Sequence, residues 1–146
     1  MTWNIVDGGP ADADAIARGL HGALQSELPQ SPINAQVVLT VRGPDCGLIG
    51  GVVAHTPYGW LHVRMLWVTD RQRNTGIATA LMERAEAQGR TLGCHGAWLD
   101  TSNPLAKAFY ERRGYAVFGE LANGPGQAPE THWRWFMRKT FEGPTS

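Results

Sequence analysis

A β-rich run gives way to a helix at Trp67-Val68-Thr69-Asp70-Arg71-Gln72-Arg73-Asn74-Thr75-Gly76-Ile77-Ala78. The run from Trp60 to Val68 leads into a short polar turn, and an amphipathic helix begins at a small, flexible residue. The first N–H groups of a helix have no partner within the helix, and the helix dipole places positive charge behind them. The junction therefore predicts a binding site for a phosphate group.

The spacing Arg73-x-x-Gly76-x-Ala78 differs from two common phosphate-binding loops. A P-loop has a Lys-Ser/Thr pair after its last glycine, and a dinucleotide-binding fingerprint has three glycines at the start of a βαβ unit. Neither pattern is present. The short string is also typical of any helix that begins at a small residue, so its meaning depends on the rest of the chain.

A second motif spans Asp100 to Tyr115, after the predicted strand from His95 to Asp100. Asn103 suits a helix N-cap, Pro104 the first helical position and Gly114 the residue just past the helix end. The pattern N-x-x-A-x-x-x-Y-E-x-x-G-Y resembles the second signature of the GNAT N-acyltransferase superfamily. The earlier loop resembles the acyl-CoA pyrophosphate loop of the same superfamily, and the two motifs occur in the expected order.

Composition indicates one compact domain, with residues 142–146 as a short C-terminal tail. The 146 residues are 42% hydrophobic, enough for one sizeable core and too few for two ordinary domains. Thirteen basic and thirteen acidic side chains give zero net charge, which argues against a nucleic-acid or membrane partner. The start of the chain does not resemble a signal peptide, and Cys46 and Cys94 form no disulfide framework, so we expect a cytoplasmic protein. The scattered histidines predict no metal site.

Periodicity predicts the element order βαβββαβαββ. The first helix, Pro10 to about Glu27, is expected to bend or split at Gly19 and Gly22. The second runs from about Thr75 to Leu92, and its solvent face is expected to carry Glu83, Arg84, Glu86 and Arg90. The third follows Asn103. The predicted strands are Trp3 to Val6, Ala35 to Arg42, Leu48 to His55, Trp60 to Val68, His95 to Asp100, Tyr115 to Leu121 and Trp133 to Phe141.

The resemblance implies an α/β fold with a central mixed sheet flanked by helices, in one GNAT-like domain over residues 1–141. It implies that the fourth and fifth predicted strands run parallel but splay apart, and that acetyl-CoA enters the wedge between them. The cofactor arm would pair with backbone groups of Leu66 and Val68. The resemblance assigns the remaining cofactor contacts to Arg73, Asn74, Thr75, Gly76, Ile77, Ala78 and Asn103. Asn74 stands where many relatives have glycine, and asparagine tolerates unusual backbone angles.

Amide formation needs a base for the incoming amine and a proton donor for the departing thiolate. The resemblance suggests Tyr110 as the donor, and helical spacing places Asn103 and Tyr110 on one side of the helix, beside a core stripe of Leu105, Ala108 and Phe109. A packed aromatic with a satisfied hydroxyl is the alternative for Tyr110.

Three residues are candidates for the base. His62 shares a strand face with Arg64, Leu66 and Val68 if no bulge intervenes, and a half-buried structural histidine is equally expected there. Asp100 is the second candidate, with helix capping or anchoring of the splayed strands as its structural alternative. His132 is the third.

The predicted function is transfer of an acetyl group from acetyl-CoA to a primary amine of a small molecule or peptide, by direct attack in a ternary complex. An acyl-CoA-binding module without turnover is the alternative, and a nucleotide or nucleic-acid binder is the weakest reading because the net charge is zero. The acceptor, the length of the acyl group and the oligomeric state, including a homodimer, stay open at this point.

Overall fold

The computed structural model describes residues 2–27 and 34–142, and the chain divides into two compact units, residues 1–31 and 32–146. In the first unit, helix α1 (Pro10–Glu27) continues through Gly19 and Gly22, so it is not split at these glycines. An isolated glycine costs a helix only about 1 kcal/mol, which the rest of the helix tolerates. The predicted strand from Trp3 to Val6 is wrong, because those residues are irregular backbone. Strand propensity takes effect only beside a pairing strand, which a local pattern does not reveal.

The second unit is built on a six-stranded mixed sheet in the order β1-β2-β3-β4-β6-β5. Strands β3 and β4 are parallel, and the other neighbouring strands are antiparallel. The predicted strands from residue 35 onward are confirmed apart from small shifts at their ends. The strands are β1 (Gln36–Arg42), β2 (Leu48–His55), β3 (Trp60–Val68), β4 (Gly96–Thr101), β5 (Ala116–Ala122) and β6 (Trp133–Thr140).

Two helices connect the strands of this sheet. Helix α2 (Ile77–Thr91) lies between β3 and β4 in the chain, and α3 (Pro104–Arg112) lies between β4 and β5. Both contribute to a core whose fully buried side chains include Leu61, Met82, Leu99 and Met137. This core fixes α2 and α3 against the sheet, so the loops at their N-termini have defined positions.

The buried face of α3 differs from the predicted one. Tyr110 is buried and Ala106 and Phe109 pack against the core, whereas Leu105 is 79% exposed. Positions 106, 109 and 110 follow the i, i+3, i+4 spacing of one helix face. Leu105 lies in the first turn, off this face, so its assignment to the core stripe is wrong.

Glu86 is buried, so its predicted place on the solvent face of α2 is also wrong. Its carboxylate accepts a hydrogen bond from the Tyr115 hydroxyl at 3.0 Å and pairs with Lys139 Nζ at 2.7 Å. An Arg113 amino group lies 3.6 Å from it. These distant partners compensate the desolvation of a buried carboxylate, which would otherwise be strongly unfavourable.

A β-bulge at Arg64 accompanies the separation of β3 from β4. Val53 of β2 pairs with Met65 and Ala54 pairs with Val63, so Arg64 is an extra residue on β3. The parallel pairing of β3 with β4 extends only from Trp60 to His62. Because a bulge bends its strand and increases the local twist, β3 turns away from β4 just beyond His62. The result is the predicted wedge between these two strands.

Candidate active site

The loop before α2 presents free backbone N–H groups beside the wedge. Asn74 and Gly76 both have left-handed backbone conformations, with φ of 63° and 87°. The first helical hydrogen bond runs from the Ala80 N–H to the Gly76 carbonyl at 3.0 Å, so the N–H groups of residues 76 to 79 precede the helical ladder. Gly76 is exposed, and an added Cβ would meet nothing within 4 Å. The space in front of these donors is therefore open to a phosphate group.

Two side chains of this loop form contacts with other residues of the same loop. Arg73 pairs with Asp70 at 2.8 Å, and both side chains are mostly exposed. The Thr75 hydroxyl donates to the Gln72 carbonyl. These contacts shape the turn, so any anion bound here would be held mainly by backbone N–H groups and the helix dipole.

Leu66 and Val68 present backbone groups to the wedge. The Thr69 N–H donates to the Ile49 carbonyl of the neighbouring chain segment at 2.9 Å, so the peptide groups of Thr69 point towards β2. Because peptide groups alternate along a strand, those of Leu66 and Val68 point away from β2, towards β4. Beyond His62 the two strands are no longer paired, and their facing edges are free to accept an extended ligand chain.

His62 lies on the opposite face of the sheet from Leu66 and Val68, because the condition for a common face, a strand without a bulge, is not met. Leu66 and Val68 pack against the core, whereas the His62 ring stacks on Trp98 with ring centroids 3.8 Å apart and planes 6° apart. The bulge at Arg64 causes the difference, because an extra residue reverses the side-chain alternation.

The protonation of His62 reflects its partial burial. Desolvation lowers the pKa of His62, the Asp100 carboxylate opposes that change, and Arg64 and His55 add to it. The imidazole is therefore biased towards its neutral form, which is the form that accepts a proton.

Asp100 is paired with an arginine that the sequence analysis did not identify. Arg134 of β6 donates through Nε to Asp100 Oδ2 at 2.6 Å, and a second nitrogen of the guanidinium contacts the same oxygen. Asp100 thus ties β4 to β6 as a carboxylate that already has a cationic partner. Nearby, His132 Nε2 lies 2.9 Å from the Ser102 hydroxyl.

Tyr110 is packed at the buried end of α3. Its ring makes edge contacts with Phe109 and Tyr115, at centroid distances of 5.3 and 5.8 Å. Burial, assisted by the charge of Asp100, raises the pKa of Tyr110 to about 12. The hydroxyl therefore keeps its proton at neutral pH and can act as a hydrogen-bond donor.

Asn103 is the N-cap of α3, as predicted. Its side-chain oxygen accepts a hydrogen bond from the Leu105 N–H at 2.9 Å, and Pro104 follows at the first helical position. The capping bond occupies the oxygen, so the side-chain NH₂ group is the part of Asn103 that can donate to a ligand.

An open cavity of about 450 Å³ lies on the sheet face that carries His62. It is lined by Trp60, Trp98, Phe118, Phe136 and Arg138. Trp98 belongs both to this lining and to the stack with His62.

Within residues 2–27 and 34–142, no group of three or more His, Cys, Asp or Glu side chains is placed to hold a metal ion. In the same ranges, no helix has the length and hydrophobicity needed to cross a bilayer.

Three residues of this site were missed by the sequence analysis: Trp98, Ser102 and Arg134. Each acts through a contact with a residue far away in the chain, such as the 34-residue separation between Asp100 and Arg134. The register between β4 and β6 places Asp100 opposite Phe136 and so brings Arg134 within reach. A correct prediction of that register would have identified Arg134.

Comparisons with known proteins agree on one family. Residues 27–115 match the sequence model described as the acetyltransferase (GNAT) family. The acetyltransferase Atu2258 of Agrobacterium fabrum is 45% identical over 83 residues, which are 57% of this chain and 61% of that protein. The blasticidin-S acetyltransferase of Streptomyces morookaense is 39% identical over 79 residues, which are 53% of this chain and 58% of that protein. These matches span about three fifths of each relative.

The fold also matches solved structures. A crystal structure of an Agrobacterium tumefaciens protein superimposes with a TM-score of 0.79 at 33% identity and covers 97% of this chain and 100% of its own. The mixed sheet with its splayed strands is therefore shared with an experimentally determined fold.

Proposed function

The chain belongs to the acetyltransferase (GNAT) family, and we propose that it transfers the acetyl group of acetyl-CoA to a primary amine of a small molecule or peptide. We propose direct attack in a ternary complex. The observation that carries this proposal is the wedge itself: an unpaired strand edge meets a loop of free N–H groups at the start of a helix. A long acyl carrier that ends in a diphosphate fits both features at once.

In this proposal, different residues of the wedge bind different parts of acetyl-CoA. The N–H groups at the start of α2, from Gly76 to Ala78, face the diphosphate, and Arg73 adds positive charge. The peptide groups of Leu66 and Val68 pair with the amide-containing arm, and the NH₂ group of Asn103 donates to it from the other side. When bound, acetyl-CoA supplies an activated acetyl thioester.

His62 is our proposed base, ahead of Asp100. Its lowered pKa keeps the imidazole neutral, and its ring lies on the sheet face that carries the open cavity. A neutral imidazole takes a proton from an ammonium group directly or through water. The Asp100 carboxylate is already engaged by the Arg134 guanidinium.

Tyr110 is our proposed hydrogen-bond donor to the departing sulfur. It is the only buried residue of α3, it faces the sheet, and the charge of Asp100 acts on it. A neutral phenol in a desolvated position stabilises a developing thiolate more strongly than water does.

A small-molecule acceptor is supported by one relative and by the cavity. The Streptomyces morookaense relative is a blasticidin-S acetyltransferase. The cavity lined by aromatic side chains has a volume suited to a small molecule. A cytoplasmic location and a homodimer remain predictions.

Incubation of the purified chain with acetyl-CoA and a pool of amines, peptides and metabolites tests this proposal. Mass spectrometry would detect acetylated products, with enzyme-free and Tyr110→Phe samples as controls. We expect a product that gains one acetyl group with the wild-type protein and acetyl-CoA, much less of it with Tyr110→Phe, and none without enzyme. Acetyl-CoA binding by calorimetry without any product would favour the binding module without turnover, and absence of binding would contradict both proposals.

A further inference from the structure

We propose that Arg134 is a positioning residue that holds the Asp100 carboxylate and thereby sets the pH range over which His62 acts as a base. This inference rests on the proposed function. It concerns a residue that lies outside both sequence motifs, on the last strand of the sheet.

The geometry fixes Arg134 on two sides. Its Nε lies 2.6 Å from Asp100 Oδ2, and its guanidinium lies over the Phe136 ring, 5.7 Å from the ring centroid. Asp100 pairs with Phe136 in the ladder between β4 and β6. Arg134 comes two residues before Phe136 on β6, and its side chain extends to Asp100. A planar guanidinium held by a ring and a carboxylate has little freedom to leave.

The Asp100 carboxylate acts electrostatically on both groups that the proposed reaction needs. Asp100 is two residues beyond Trp98 on β4, on the same sheet face, and Trp98 carries the stacked His62 ring. The same carboxylate raises the pKa of Tyr110 and opposes the lowering of the pKa of His62. One negative charge therefore influences both the proposed base and the proposed donor.

The other charged groups that face His62 act in the opposite direction. Arg64 on β3 and His55 on β2 both lower its pKa. His55 is its partner in the β2–β3 ladder, and Arg64 is the bulged residue. Asp100 thus opposes the effect of these groups on the pKa of His62. The size of its own effect depends on how far the Arg134 charge neutralises the Asp100 carboxylate.

Loss of the Arg134 charge would leave Asp100 as an unpaired anion. His62 would then hold its proton to higher pH, by about half a pH unit, which is the order expected for one added charge near a partly exposed group. The pH at which kcat/KM falls on the acid side of its profile would rise by the same amount. At a pH well below this point, activity would fall about threefold relative to the wild type.

The test is an NMR titration of the His62 ring in the full chain, with His62→Gln used to assign the signal. We expect Arg134→Gln to raise the pKa of His62, Asp100→Asn to lower it, and the double variant to return it close to the wild-type value. Arg134→Lys should restore most of the wild-type value, because it restores the charge. A purely structural role would not give shifts of opposite sign that cancel in the double variant.

Arg138→Gln is the matched control. Arg138 lies on the same strand and the same face, but its guanidinium lies over the Phe118 ring, 5.6 Å from the centroid, rather than on Asp100. We expect a clearly smaller change in the pKa of His62 than Arg134→Gln produces. An equal change would show that loss of any nearby cation suffices, and that result would overturn the role of the ion pair.

The acid limb of kcat/KM, measured with the acceptor found by mass spectrometry, should follow the order of the titrations. An unchanged His62 pKa in folded Arg134→Gln protein would refute the inference. If the wild-type chain acetylated no amine, the proposed function would fail, whereas the titration would still decide whether Arg134 controls the charge of His62.

Discussion

Replacement of Tyr110 by phenylalanine removes the hydroxyl that we propose as hydrogen-bond donor and retains the packed ring. The pKa of Tyr110 is about 12, whereas that of an ordinary thiol is about 8.5. Complete proton transfer to the departing sulfur is therefore uphill by about 3.5 pH units, or roughly 5 kcal/mol. Tyr110 is better suited to donate a hydrogen bond than to give up its proton fully. A hydrogen bond to a charged group contributes about 1.5–3 kcal/mol, so Tyr110→Phe should lower kcat about 10- to 150-fold.

The assay is the initial rate of CoA release with a saturating acceptor, together with calorimetric titration of acetyl-CoA. We expect kcat to fall while the acetyl-CoA Kd and the melting temperature stay near their wild-type values. Tyr115→Phe is the matched control, because it removes a hydroxyl from the neighbouring ring, and that hydroxyl donates to Glu86. It should lower stability and leave kcat almost unchanged. A Tyr110→Phe enzyme that keeps the wild-type kcat would refute the donor role.

Three further predictions concern the loop, the base and the core. Gly76→Ala should cost about 1–2 kcal/mol of stability and weaken acetyl-CoA binding, whereas Gly93→Ala, at φ of 95° beyond the end of α2, should cost similar stability without changing the Kd measured by calorimetry. For His62, kcat/KM should decline as pH falls through a pKa below the ordinary 6.5, because protonation removes the base, and a His62→Gln profile that retains this decline would contradict the assignment. Glu86→Ala should lower the free energy of unfolding in urea by about 3 kcal/mol, because two partly buried cations lose their partner, and the same change at exposed Glu83 should cost less than about 0.5 kcal/mol.

Local patterns in the sequence were sufficient for most of the second unit. The strands between Gln36 and Val68 are rich in residues that favour β-structure and end at turn residues, and α3 carries Asn103, Pro104 and Gly114 at the positions where capping requires them. Each of these signals acts over a few residues, so it can be detected without knowledge of the rest of the fold. The strand predicted at Trp3 to Val6 failed because a strand depends on a pairing partner as well as on its own residues.

The errors on the helix faces had a different cause. A charged residue on a helix is normally assigned to solvent, and Glu86 followed that rule until Lys139, Tyr115 and Arg113 were seen around it. These partners come from sequence positions beyond the helix, so no helical pattern reveals them. A buried glutamate is unfavourable alone and stable only as part of such a cluster, which is a property of the assembled fold.

The candidate site shows the same division between local and long-range information. His62, Asp100 and Tyr110 could be singled out because each lies at a recognisable place in a strand or helix motif. Their order as candidates came from their positions in the motifs, whereas the charges and orientations that bear on their roles could not be predicted. The bulge at Arg64 turned His62 away from the face of Leu66 and Val68. The pairing of β4 with β6 brought Arg134 to Asp100, so that carboxylate already has a cationic partner. The choice of His62 as the proposed base thus follows from contacts that β-sheet register creates, and a test of Arg134 is consequently also a test of that choice.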